Sequence, residues 1–169
     1  MAQEVVADAG PLISLEKLED GHAFLCLLYR RIIIPPKVLE EVAVENHAVL
    51  SDYLKERGME DFVVVQTPSK IPSLPELNRL HDGESQAIAL ALELDLPLLI
   101  EETAGRRIAL GIGLQVSGIA GQLLKAFRED LLEKEDARRK LQELFDGGRI
   151  NRKIFGALNA GLGQELPRQ

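Results

Sequence analysis

The stretch LPLLIEETAGRR, residues 96–107, decides the fold. Leu98-Leu99-Ile100 is a short, continuous apolar run that reads as the end of a buried strand. Glu101 and Glu102 follow it directly. Adjacent carboxylates gain nothing from packing and repel one another, so their place at a strand end needs a reason. The same pattern opens the chain, where EVVAD (4–8) reads as a strand that stops on Asp8.

Working outward, RIII (31–34) and FVVVQ (62–66) supply two more apolar strands, and LQVS (114–117) a weak fifth. Gly10-Pro11 is expected to turn the chain, and residues 12–29 are helical in pattern. Pro35-Pro36 opens a helix expected to run to about Gly58, with Pro36 suited to its first turn. A Pro- and Ser-containing loop spans 67–75. Asp82-Gly83 caps a helix that ends before Pro97, and a short helix starts near Ala104. Residues 118–161 read as helical, broken at Gly147-Gly148. Strands alternating with helices predict a three-layer α/β/α fold around a parallel sheet of about five strands. Ligands of such sheets bind outside the carboxyl ends of the strands. Acids at strand ends therefore become candidates.

The 169 residues suffice for one domain with a sizeable core. Aromatics make up 4% and Trp is absent, which predicts an aliphatic core and argues against a platform for stacking bases. A net charge of −7 argues against broad electrostatic adhesion to nucleic acid. That charge is uneven, however. Residues 1–100 carry 17 acids and 8 bases, whereas 101–169 carry 10 acids and 12 bases. Cys26, the single cysteine, is expected to be a small buried hydrophobe, since one thiol builds neither a disulfide nor a zinc site. The acidic start MAQEVVADAG is no signal peptide and no stretch could span a bilayer, so a cytoplasmic protein is expected.

Helical spacing adds further acids. Glu84 shares a face with Ala87, Ile88 and Ala91 at i+3, i+4 and i+7, and so points toward the sheet. A carboxylate there is costly unless a cation meets it. Glu40 and Glu41 lie at similar angles from the stripe Val38, Leu39, Val42, Ala43, and periodicity does not choose between them. Several carboxylates converging on one crevice repel unless a hard divalent cation such as Mg²⁺ joins them. The chemistry that suits this set is metal-assisted phosphodiester hydrolysis.

VVADAGPLISLEKL (5–18), IIIPPKVLEEV (32–42), LHDGESQAIALALEL (80–94) and LLIEETAGRRIALGIGLQVSGIAGQLL (98–124), in that order, resemble a PIN domain. This is the PilT N-terminus fold of metal-dependent ribonucleases, and the resemblance is to a branch related to VapC-type toxins. The likeness covers about residues 4–132 and implies a nuclease domain over 1–132 with a helical C-terminal extension over 133–169. It implies metal ligands at Asp8, Glu41, Glu84 and Glu101 with Glu102 in support, and so selects Glu41 over Glu40. It also implies Mg²⁺ or Mn²⁺ as cofactor, an RNA substrate, a small antitoxin partner and a homodimer. Arg106 matches an arginine of the branch that would steer a phosphate, its other reading being an ion pair with the neighbouring glutamates. Ser117 is a candidate for substrate binding.

Three positions depart from the pattern. Glu101 stands where Asp is usual, Ala9-Gly10 replaces a Thr or Ser, and Ile119 stands where Thr is frequent. They motivate the alternative of a PIN-like module that has weakened or lost catalysis and binds protein or RNA. Other families fail on specific residues. A phospho-receiver needs an Asp after the third strand, where Gln66-Thr67 stands, and a dehalogenase-type phosphatase needs a second Asp at Gly10. No glycine-rich phosphate loop is present, and His22, His47 and His81 form no pair at metal-ligand spacing. Arg149, Arg152 and Lys153 in the tail read as a solvated basic face or a contact for RNA phosphate or a partner.

Overall fold

The computed structural model describes residues 3–163. Five strands, β1 (Gln3–Ala7), β2 (Tyr29–Ile34), β3 (Val63–Val65), β4 (Leu98–Leu99) and β5 (Val116–Ser117), form one parallel sheet in the order β3-β2-β1-β4-β5. The chain moves outward from β1 to β2 and β3, then crosses to β4 on the other side. The carboxyl ends of β1 and β4 therefore flank the point where the strand order reverses, the usual place for a site in an open α/β sheet. Register makes this concrete: Val6 pairs with Leu98 and Ala7 with Leu99, and the Asp8 N–H donates to the Leu99 carbonyl at 2.9 Å. Asp8 and the Glu101-Glu102 pair thus leave the sheet side by side.

Helices cover the sheet: α1 (Ala9–Leu15), α2 (Leu25–Leu28), α3 (Pro36–Glu45), α4 (Tyr53–Glu56), α5 (Asp82–Leu94), α6 (Thr103–Gly111), α7 (Ile119–Arg128), α8 (Lys134–Asp146) and α9 (Arg152–Gly163). α5 packs on α3 and α6, whereas α7 packs on α2, α8 and α9. The two groups make the outer layers of a three-layer α/β/α fold. Ile32, Ile34, Leu98 and Ile100 are fully buried between them, each side chain stabilising the fold by about 1.5–3 kcal/mol relative to exposure. The core is mainly aliphatic, with Tyr53 and Phe24 also buried. Ala137, Leu141, Leu144 and Leu162 of α8 and α9 belong to that same core. Among the described residues no helix is long and apolar enough to cross a membrane.

Several boundaries differ from the sequence expectation. Gly10-Pro11 lies in the first turn of α1 and does not turn the chain. The span 12–29 is not one helix, because α1 stops at Leu15 and turns, including Gly21 at φ 55°, separate it from the short α2. That break leaves Cys26 exposed, against the expectation of a buried thiol. The helix from Pro36 does not reach Gly58: it ends at Glu45, and His47 takes a left-handed φ of 52°. The 118–161 span breaks a second time before α8, at Asp130 with φ 55°. His81, and not Asp82, holds the N-cap position of α5.

Candidate active site

Asp8 occupies the N-cap position of α1, yet its side chain makes no capping hydrogen bond. The residue is 4% exposed, and its Oδ1 is buried with no hydrogen-bond partner. Such an atom is costly, and nothing about α1 requires it. Burial pushes the Asp8 carboxyl up from 3.8 to about 7, with the charges of Glu84, Glu41 and Glu101 adding to the rise and the Ala9 N–H opposing it.

Three further elements bring acids to Asp8. Glu84, in the first turn of α5, is 7% exposed and lies on the buried face that its spacing predicts. Its carboxyl is also raised, chiefly by burial and then by Glu102, His81 acting against them and Glu41 with them. Glu41 comes from α3, against the start of α5. Glu40, by contrast, is exposed and pairs with Lys37 at 3.0 Å, so the packing of α3 puts the two glutamates in different surroundings. Glu101 and Glu102 follow β4, Glu102 standing at the N-cap position of α6. All five acids line one open crevice of about 740 Å³, together with Arg79, His81 and Arg149.

Both oxygens of Glu101 are engaged. Oε1 accepts from Ser14 Oγ at 2.5 Å and from Arg149 Nη2 at 3.2 Å, and Oε2 accepts from the Ile119 N–H at 3.0 Å. Arg149 in turn donates from Nε to Ser14 Oγ at 2.8 Å and from Nη2 to the Gly10 carbonyl at 3.2 Å. Ser14, on α1, is thus the hydroxyl that meets both Glu101 and Arg149. Ser14 is fully buried. Its signal in the sequence was a hydroxyl inside the apolar run PLISL.

Two expected site residues lie elsewhere. Arg106 donates from Nη1 to the Ile100 carbonyl at 3.0 Å and is not among the residues lining the crevice. It makes neither the expected ion pair with the adjacent glutamates nor a contact at the site, and serves instead to tie α6 to the end of β4. Ser117 donates to the Gly118 carbonyl at 3.2 Å and lines a separate, smaller cavity near Tyr29 and Gln122. In the tail, Arg152 and Lys153 are exposed, whereas Arg149 is half-buried in the acidic crevice. His81 is exposed and also lines the crevice.

A family model described as "DUF3368: PIN domain" matches residues 4–160. The chain belongs to the PIN-domain family. The match runs past residue 132 and takes in α8 and most of α9. Among solved structures, this PIN domain is similar to a PilT N-terminus domain protein from the hyperthermophilic archaeon Sulfolobus solfataricus P2. That likeness has 21% identity and a TM-score of 0.50, and covers 69% of this chain and 87% of the other. It supports the fold. No curated protein matches the chain.

PIN domains are commonly nucleases that use divalent metal ions, and the donors here are those a hard cation takes: carboxylate oxygens, one of them buried and unpartnered. Among the described residues no group of three or more His, Cys, Asp or Glu side chains already stands arranged to hold a metal ion. The donor types fit a hard cation, and Asp8 Oδ1 is the buried carboxylate oxygen among them without a partner.

Proposed function

We propose that this PIN domain is a divalent-metal-dependent endoribonuclease that hydrolyses RNA phosphodiester bonds in the crevice at the carboxyl ends of β1 and β4. The observation that supports this most is the buried, unpartnered Asp8 Oδ1 beside Glu84 and Glu41. Asp8, Glu41 and Glu84 would hold Mg²⁺ or Mn²⁺, with the exposed Glu102 reaching it directly or through water. When bound, the cation makes water a better nucleophile and neutralises charge on the phosphate. The protein's own residues prepare that event. Asp8 and Glu84 are held protonated more readily than free carboxylic acids, so loading a cation releases protons and gains affinity as pH rises. Arg79, His81 and Arg149 ring the acids with positive or protonatable groups suited to phosphate oxygens.

The test is incubation of purified protein with single-stranded RNA in Mn²⁺, in Mg²⁺ and in chelator. Cleavage that requires metal, leaves 5′-phosphate ends and is lost in Asp8→Asn is expected. Cleavage indifferent to chelator would refute the reading.

Family membership extends the proposal to a toxin restrained by a small partner whose basic segment enters the acidic crevice, and to a homodimer. A short open reading frame adjoining the gene and light scattering of the purified chain test these two points. The engagement of Glu101 by Arg149 and Ser14 favours a second reading, a module without catalysis that retains the crevice for binding. RNA binding without metal-dependent cleavage would support it.

A further inference from the structure

The five acids of the crevice are not equivalent. Both oxygens of Glu101 are engaged by donors, from Ser14, Arg149 and Ile119, whereas Asp8 presents a buried oxygen with none. Replacing those donors by a metal would leave the Arg149 guanidinium beside a second cation. Arg149 is anchored on one edge only. Its Nε and Nη2 hold Ser14, Gly10 and Glu101, and among the described residues Nη1 has no hydrogen-bond partner. The side chain remains 26% exposed and lines the crevice. A guanidinium fixed by two nitrogens, with the third free in a cleft, is pre-organised to meet a phosphate oxygen.

Backbone packing keeps this bracket in place. Gly118 and Gly10 bring their backbones against Glu101, where an added Cβ would stand 3.3 Å from its Cγ and 3.6 Å from its Cβ respectively. Arg149 itself lies in the turn between α8 and α9, following Gly148 at φ 73°, and its N–H donates to the Leu144 carbonyl at 2.9 Å. The turn between α8 and α9 thus delivers Arg149 to a crevice whose acids come from the ends of β1 and β4 and from α3 and α5.

We infer that Arg149 is a substrate-binding residue that grips an RNA phosphate at the crevice, and that Glu101 and Ser14 are positioning residues that hold its guanidinium and do not ligate the metal. This rests on the nuclease reading above and divides the acids into a metal set, Asp8, Glu41 and Glu84 with Glu102 in support, and a bracket, Glu101. The extra methylene of Glu101 relative to the usual Asp then belongs to the bracket.

The experiment pairs two measurements on the full chain. Calorimetric titration reads Mn²⁺ affinity. Anisotropy of a short labelled single-stranded RNA in Ca²⁺, at several salt concentrations, reads the phosphate contact. Arg149→Ala is expected to keep Mn²⁺ affinity within about threefold, to weaken RNA binding about tenfold, and to lower the slope of log K against log salt by about 0.7, the share of one phosphate on a single strand. Arg149→Lys guards against a folding artefact: it keeps the charge without the fork, so the slope is expected to stay while part of the affinity goes. Glu101→Gln is expected to retain Mn²⁺ binding and to weaken RNA binding, with little further loss when combined with Arg149→Ala. Unchanged RNA affinity and slope in Arg149→Ala would overturn the inference, as would loss of Mn²⁺ binding in Glu101→Gln. Mn²⁺ binding that survives Asp8→Asn would instead overturn the metal assignment on which the inference rests, a failure distinct from the other two.

Discussion

Glu41 places its carboxylate against the bare α-carbon of Gly83. A Cβ at Gly83 would stand 2.5 Å from Oε1 and 2.6 Å from Oε2. The glycine in the first turn of α5 therefore leaves room for an acid delivered by α3, close to where α5 delivers Glu84.

Gly83→Ala is expected to push the Glu41 carboxylate aside while leaving the fold intact, since the obstructing atoms are the tip of a flexible side chain. Alanine favours a helix over glycine by about 0.8–1.0 kcal/mol in the interior, so thermal stability should hold or rise. Mn²⁺ affinity should drop by about tenfold or more, as expected for a displaced carboxylate ligand. Equal affinity in the variant would remove Glu41 from the metal set.

Stability against pH follows from Asp8. Its carboxyl titrates at about 7 in the folded protein against 3.8 ordinarily, so between those values the folded state keeps a proton that the unfolded chain has lost. Metal-free protein should therefore lose stability as pH rises from about 4 to about 7, by an amount on the order of a few kcal/mol, and level off above. Glu84 is shifted in the same direction. Asp8→Asn should flatten the slope and be the more stable protein at pH 8 in chelator. Denaturant midpoints across this range check it, and a wild-type profile that rises through the window would contradict the burial argument.

Gly105 of α6 faces Ile100 at the end of β4, where a Cβ would lie 2.6 Å from Ile100 Cδ1. Ile100 is fully buried. Gly105→Ala should destabilise by about 1–3 kcal/mol through overpacking, partly offset by helix propensity. Ile100→Val removes the clashing methyl, so the double variant should be more stable than the sum of the two single changes predicts. Additive behaviour would show that α6 shifts to accommodate the methyl.

These contacts mark what local pattern could and could not convey. Strand ends were legible because an apolar run that stops on an acid is a local signal, as at Asp8 and Glu101. Glu84 was legible because helical period puts it on the face of Ala87, Ile88 and Ala91. Helix ends at Glu45 and Leu15 were not. The left-handed turn at His47 carries no glycine to announce it, and helical periodicity continues through residues that tertiary packing turns away. Exposed Cys26 follows from the same misplaced helix. Periodicity did not choose between Glu40 and Glu41, and only the family resemblance did, because angles about one axis do not contain the packing of α3 on α5. Arg149 lies 48 positions from Glu101 and 135 from Ser14, and no local pattern announces a contact of that span. Arg106 entered as a match to an arginine of the resembled branch, and its guanidinium instead meets the Ile100 carbonyl.

Calorimetric titration of Mn²⁺ into the wild type and into Asp8→Asn tests the central claim most directly. The acidic crevice predicts saturable, stoichiometric binding to the wild type with release of protons near neutral pH, and its loss in Asp8→Asn. Absence of binding to the wild type, or equal binding to both, would contradict a cation site built around Asp8.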